Sequence, residues 1–378
     1  MRTENLIEKI KKYKIWDYDF KLVAMLITLN IVGIMAIGSA EPANQKKQIA
    51  GMVLGIATML FVSILDYGVI TRFYPLYYVL NIVLLALVFT GLSKTVNGST
   101  RWINLFGIQF QPSEASKILL ILFFAQFIMK YKDKVKKLYF VGICLLLLSV
   151  PLLMVFSQPD LSTTIMLTVI VSTILFVAGI NWKLVATVLA VTIPSAVLII
   201  FDALSDKSFI LKGYQQDRIL AWLHPEDYAN SIAYQTLNSM MAIGSGQLLG
   251  KGYNTNEISS VLNGGFISES PTDFIFTVVG EEFGFIGSCL VVVLILLIAI
   301  ECFVVAGKSK DLAGMLIATG MGAWIGFQGI LNIGVVTGVL PNTGIPLPFV
   351  SYGLTSLVSC YTGMGLVLNV RLQGKKYY

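Results

Sequence analysis

Ten stretches of this chain are nearly free of charge and about as long as a helix that crosses a bilayer. They run near 20–40, 48–66, 73–93, 113–131, 137–157, 160–180, 182–201, 273–305, 311–337 and 349–370. A helix rises 1.5 Å per residue, so roughly 20 apolar residues cover the hydrocarbon layer. Lipid offers no hydrogen bonds to the backbone, so runs of this length have to be helical. The expected fold class is an all-α polytopic membrane protein with about ten transmembrane helices. Composition agrees: 56% of the 378 residues are hydrophobic and 13% are charged, against roughly 25% charged in soluble domains. The eighth and ninth runs exceed one bilayer thickness and are expected to be tilted, broken or protruding. Gln158-Pro159-Asp160 is polar and holds a helix stopper, so it reads as a tight turn between two spans.

The net charge of +6 sits in short loops, which gives it a topological meaning and does not point to nucleic acid. Eighteen of the 27 cations fall on one side: the N-terminal tail, the 130–137 loop, Arg72, Lys183, Lys308, Lys310 and the C-terminal tail. Eight fall on the other side, and Lys117 lies within a span. The positive-inside rule then puts both termini in the cytoplasm. The expected organisation is a single transmembrane domain over 1–378, with cytoplasmic tails at 1–19 and 371–378. One large extracytoplasmic loop, 202–272, joins the seventh and eighth helices. No cleavable leader is expected. Cys144, Cys289, Cys302 and Cys360 all lie in apolar runs without a CxxC or histidine partner. They read as small core residues and not as a zinc or disulfide framework.

Ionisable groups inside spans are costly and tend to serve function. Glu114 and Lys117 lie in the outer turns of the fourth span. They are three residues apart, so they share a helix face and can pair. Asp160 opens the sixth span from outside and Asp273 opens the eighth. Glu281 and Glu282 lie about two turns deeper and point about 100° apart, so they cannot form one clamp unless the helix breaks. Arg101 is at the interface next to Trp102, where a guanidinium could take phosphate. Four inward-running helices are preceded by proline (Pro112, Pro159, Pro271, Pro348) with Ser, Thr or Asp beside three of them, a good helix start. Their N-termini could together favour an anion such as pyrophosphate. His224, the only histidine, reads as a surface or structural residue. The same pattern also describes well-capped helices with a stabilising ion pair.

These residues also form ordered motifs. They are Gly98-Ser-Thr-Arg101-Trp102, Phe110-Gln111-Pro112-Ser113-Glu114 with Lys117, and Gln158-Pro159-Asp160-Leu-Ser-Thr. Further along come Arg218 with Tyr234-Gln235, Ala242-Ile-Gly-Ser-Gly246 and Gly250-Lys-Gly252. The last are Thr272-Asp273-Phe-Ile-Phe276, Glu281-Glu282-Phe-Gly284 and Pro346-Leu-Pro348-Phe349-Val-Ser351-Tyr352-Gly353. Together, over about 20–370, the chain resembles the SEDS family (shape, elongation, division and sporulation) of RodA, FtsW and SpoVE proteins.

The resemblance implies a peptidoglycan glycosyltransferase in the bacterial cytoplasmic (inner) membrane, with its active site facing outside. Its substrate would be lipid II, added to a growing glycan strand, and its partner a class B penicillin-binding protein. By similarity Asp273 is the catalytic carboxylate. It would act as a base on the acceptor hydroxyl or hold a divalent cation, magnesium or manganese. Arg101, Lys117 and Arg218 are candidates for the pyrophosphates, and Glu114, Asp160 and Ser351 are further candidate substrate contacts. Two other readings stay open. A lipid II flippase would spread its charge through the midplane and both faces, and a non-catalytic scaffold of the cell-wall machinery would tolerate loss of Asp273.

Overall fold

The computed structural model describes residues 18–90, 93–96, 99–105, 108–205, 211, 213–255 and 260–374. The cationic tail 1–17, Gly98, residues 206–210 and 256–259 of the long loop, and the last four residues lie outside this set. The helices are α1 (Phe20–Ala40), α2 (Pro42–Ile64), α3 (Tyr67–Leu87), α4 (Pro112–Lys130), α5 (Leu138–Ser157), α6 (Leu161–Val177) and α7 (Trp182–Ala203). Two helices of the long loop follow, α8 (Gly213–Leu223) and α9 (Tyr234–Ser245). The chain ends with α10 (Ile275–Gly307), α11 (Leu312–Val336) and α12 (Leu354–Leu372). Eight of them are long and apolar enough to cross a membrane, and α6 is a shorter apolar helix.

Helix starts follow local chemistry. Asp19 caps α1 by accepting from Leu22 N at 3.1 Å. Asp160 caps α6 through Thr163 N at 3.0 Å, and Asp311 caps α11 through Gly314 N at 2.8 Å. Each supplies an acceptor for an N–H that the first turn leaves unpaired. Proline stands at the first turn of α2 and α4, where its missing N–H costs nothing.

Helix α11 is the centre of the bundle and packs on α4, α6, α10 and α12. It buries Trp324, Met321 and Ile325. Against α12 lies α2, and the approach is close because glycines face it. A Cβ on Gly365 would sit 2.7 Å from the Met59 carbonyl oxygen. In lipid, such small-residue contacts supply the helix–helix attraction that water would otherwise drive. Among the described residues, helix α7 stands apart, with α8 its one substantial neighbour.

Three expectations need correction. The protein is not wholly helical: β1 (Ser93–Val96), β2 (Ser99–Leu105) and β3 (Ile108–Phe110) form an antiparallel sheet in that order. Ile103 pairs with Phe110, and Lys94 with Trp102. Thr95, Val96, Thr100 and Ile103 are β-branched and suit a pleated surface. Also, α12 begins at Leu354 and not at 349, because Phe349 adopts φ +64° and the chain stays unwound up to Gly353. Of the proline starts, the one at Pro159 holds, with Asp160 capping α6 directly after it, while Pro271 and Pro348 stand in turns ahead of their helices and not at the helix starts.

Replacing Gly365 by Val would drive a side chain into the α2 backbone. A destabilisation of about 1–3 kcal/mol is expected, measured as a lower thermal midpoint in detergent.

Candidate active site

The site begins with a buried charge network between α4 and α11. Lys117 and Glu114 are both 2% exposed, and their ion pair measures 2.7 Å. Lys117 also donates to Gln328 Oε1 at 2.8 Å and lies 4.7 Å from the centre of the Trp324 ring. Trp324 Nε1 donates to the same Gln328 oxygen at 2.6 Å. Trp324, Gln328 and Asn332 follow one another at four-residue spacing, so they line one face of α11. A buried charge holds only when paired and hydrogen-bonded, and here the ammonium has a carboxylate, an amide and an aromatic face.

Gln328 and Asn332 carry the network to the unwound segment before α12. Gln328 Nε2 donates to Pro346 O at 2.8 Å. Asn332 Nδ2 donates to Ile345 O at 2.6 Å and to Asp273 O at 2.7 Å. From the other side, Asn30 Nδ2 donates to Phe349 O at 2.7 Å and Gln48 Nε2 to Ser351 O at 3.2 Å. Ser351 Oγ accepts from Leu347 N at 2.7 Å and donates to Thr272 O at 2.6 Å. Its hydroxyl thus braces two loops.

Arg101 reaches the cluster from β2. Its Nε donates to Gln158 O at 3.2 Å, one Nη donates to Pro159 O, and the other Nη lies 3.8 Å from Asp160 Oδ1. Asp160 is 2% exposed and also accepts from Thr163 Oγ1 at 2.9 Å. Arg101, Glu114, Lys117, Asp160, Gln328 and Gly344 line one small open cleft. Asp273 stands behind its wall: a Cβ on Gly344 would lie 3.2 Å from Asp273 Oδ2. A side chain at Gly344, whose φ is +68°, would press on that carboxylate.

Asp273 is half-buried at the edge of the protein. Loss of solvent is the main cause that pushes its pKa up to about 7; nearby Glu269 and Asp160 add to the rise, and Arg101 opposes it. An acid in that range can exchange a proton near neutrality.

The structure therefore brings Arg101, Glu114, Lys117 and Asp160 to one cleft, with Asp273 against its wall. Arg218 is elsewhere. It lines a second open cleft with Trp222, Met240, Leu340 and Asn342, on the other part of the α11–α12 connection. His224 lies just past the end of α8, outside both clefts. The described residues contain no group of three or more His, Cys, Asp or Glu placed to hold a metal. Sequence reasoning missed Asn30, Gln48, Gln328 and Asn332. The available signal was an uncharged amide inside an apolar run, which lipid penalises unless it is paired.

Comparison with known proteins places the chain in a family. The FtsW/RodA/SpoVE cell cycle protein family matches residues 18–376. The probable peptidoglycan glycosyltransferase FtsW of Enterococcus hirae is 34% identical, covering 93% of this chain and 91% of its own. The peptidoglycan glycosyltransferase MrdB of Escherichia coli K12 is 31% identical, with 96% and 97% covered. Among solved structures, a chain from a peptidoglycan synthase complex that coordinates polymerization and crosslinking superposes with a TM-score of 0.77 at 28% identity, covering 94% of this chain and 97% of that one. An aspartate-to-alanine mutant of the Rod shape determining protein RodA of Thermus thermophilus superposes at 0.69 with 25% identity, covering 95% of this chain and 99% of that one. With the match running nearly end to end, this chain belongs to the FtsW/RodA/SpoVE family.

Proposed function

We propose that this chain is a peptidoglycan glycosyltransferase that polymerises lipid II into glycan strands on the outer face of the bacterial cytoplasmic membrane. One observation carries this reading: a carboxylate with a near-neutral pKa stands beside a cleft that holds a guanidinium and an ammonium. The names of the relatives, FtsW and MrdB, support it.

In the topology that goes with it, α1–α7 and α10–α12 are ten crossings with both termini in the cytoplasm. The sheet and the loop carrying α8 and α9 then lie outside. The acceptor sugar hydroxyl gives its proton to Asp273 as its oxygen bonds to the anomeric carbon of the donor. The C–O electron pair leaves with the prenyl pyrophosphate, whose negative charge Arg101 and Lys117 stabilise. Glu114 holds Lys117 in place, and Asp160 does the same for Arg101. Arg218, in its own cleft, would meet a pyrophosphate only on the far side of the α11–α12 connection. A divalent cation, if used, would meet Asp273 first. The cross-linking partner is a class B penicillin-binding protein; the solved synthase complex supports that pairing.

Asp273→Asn removes the proton acceptor but keeps the shape. Glycan synthesis by purified protein should fall by about 100-fold or more while the thermal midpoint holds; normal strand synthesis by that variant would refute the assignment. The pH profile gives a second check. A base works deprotonated, so activity should rise with pH through about 7 and level off above it. Glu269→Gln removes a neighbouring negative charge, so the midpoint of the rise should move to lower pH; an unmoved midpoint would separate Asp273 from the titration.

A further inference from the structure

Glu281 and Glu282 take no part in the chemistry above, yet they lie buried in α10. Between them and Phe285 the helix is broken at Gly284, with φ +63° and ψ −158°. In an unbroken helix Phe285 N would donate to Glu281 O, and Ile286 N to Glu282 O. Neither bond is made. Phe285 N donates instead to Gln247 O at 2.8 Å and Ile286 N to Leu248 O at 3.2 Å. The two freed carbonyls accept from the same turn, Glu281 O from Lys251 N at 2.9 Å and Glu282 O from Gly252 N at 3.1 Å. The turn 247–252 thus sits inside the helix ladder and replaces two helical bonds with four of its own.

The fit needs bare backbone. A Cβ on Gly246 would collide with Gly280 O, one on Gly250 with Glu282 O, and one on Gly284 with Gly250 N. The carboxylates fasten the loop that bears the turn. Glu281 accepts from Lys251 Nζ at 2.8 Å, from Val261 N at 2.9 Å and from Leu262 N at 3.2 Å. Glu282 accepts from Asn254 N at 3.2 Å and from Ser39 Oγ at the end of α1. Above the break, residues 275–283 pack against α9, with Ser239 and Thr277 hydroxyls 2.6 Å apart. Asp273 stands just beyond that segment.

We infer that the 247–252 turn is a wedge seated in α10 and that Glu281 is a positioning residue for the reaction, acting through the wedge on the upper segment and on Asp273. With the wedge seated, the upper segment keeps a fixed direction and Asp273 stays against Gly344. With the wedge out, the bonds 285→281 and 286→282 can close, Gly284 can turn helical, and Asp273 swings off the cleft. The inference rests on the reading of Asp273 as the catalytic carboxylate.

The test uses full-length protein in detergent with lipid II, and backbone hydrogen exchange read over 247–263 and 281–287. Glu281→Gln should lower kcat by about 10- to 100-fold, the range for a misplaced catalytic group, with KM within about twofold. Exchange should quicken in those two segments and nowhere else. Lys251→Met, which removes the ion pair to Glu281 and leaves its carboxylate in place, should give a smaller change of the same kind, and it serves if Glu281→Gln does not fold. Faster exchange with unchanged kcat would overturn the positioning role. Unchanged exchange would overturn the wedge's dependence on Glu281, and a raised KM at constant kcat would point to substrate contact instead. If wild-type protein makes no glycan, the polymerase reading falls and takes the positioning role with it, while exchange alone still decides the wedge.

Discussion

Unwound backbone inside a membrane protein survives only where other residues do the work of water. The segment from Ile345 to Ser351 shows how. Four amides from three helices, Asn30, Gln48, Gln328 and Asn332, each donate to one of its carbonyl oxygens. Left unsatisfied, each carbonyl would cost on the order of a few kcal/mol in an apolar setting. The same amides give the segment a single course, so Gly344 meets Asp273 and Leu347 meets Ser351 in fixed places. The cleft has its shape because this segment cannot drift.

The charge network is continuous with that frame. Glu114 neutralises Lys117, Lys117 orients Gln328, and Gln328 holds Pro346. One helical turn away on the same helix, Asn332 joins Ile345 to the backbone of Asp273. Removing a member leaves a buried partner without its bond, which costs more than the bond itself was worth. Fold and site therefore share the same side chains, and few of them can change alone.

The spans were legible because apolar length is a one-dimensional signal. The pair Glu114–Lys117 was legible because three residues along a helix make neighbours. The break in α10 was half legible: the run was too long for one span, and two adjacent carboxylates could not serve one purpose on a straight helix. The wedge that causes it was not, since its partners lie some 35 residues upstream of the break. The sheet did leave a trace, Asn97-Gly98 between β-branched residues, a strong hairpin signal that the hydropathy reading passed over. The late start of α12 left none, because amides from α1 and α2, far off in sequence, hold that segment open. Nor did the motifs foretell that Arg218 and Arg101 would occupy separate clefts, since order along the chain carries no distance.

Arg101 rewards a count of its donors. A guanidinium has five N–H groups in a rigid plane. Two are committed to the carbonyls of Gln158 and Pro159, and one edge faces Asp160. What remains for a visitor is a partial edge, with an acidic neighbour already drawing on the charge. Such a group cannot chase or wrap an anion. It offers a stationary contact with its charge already shared, a grip that would release an anion as readily as it receives one.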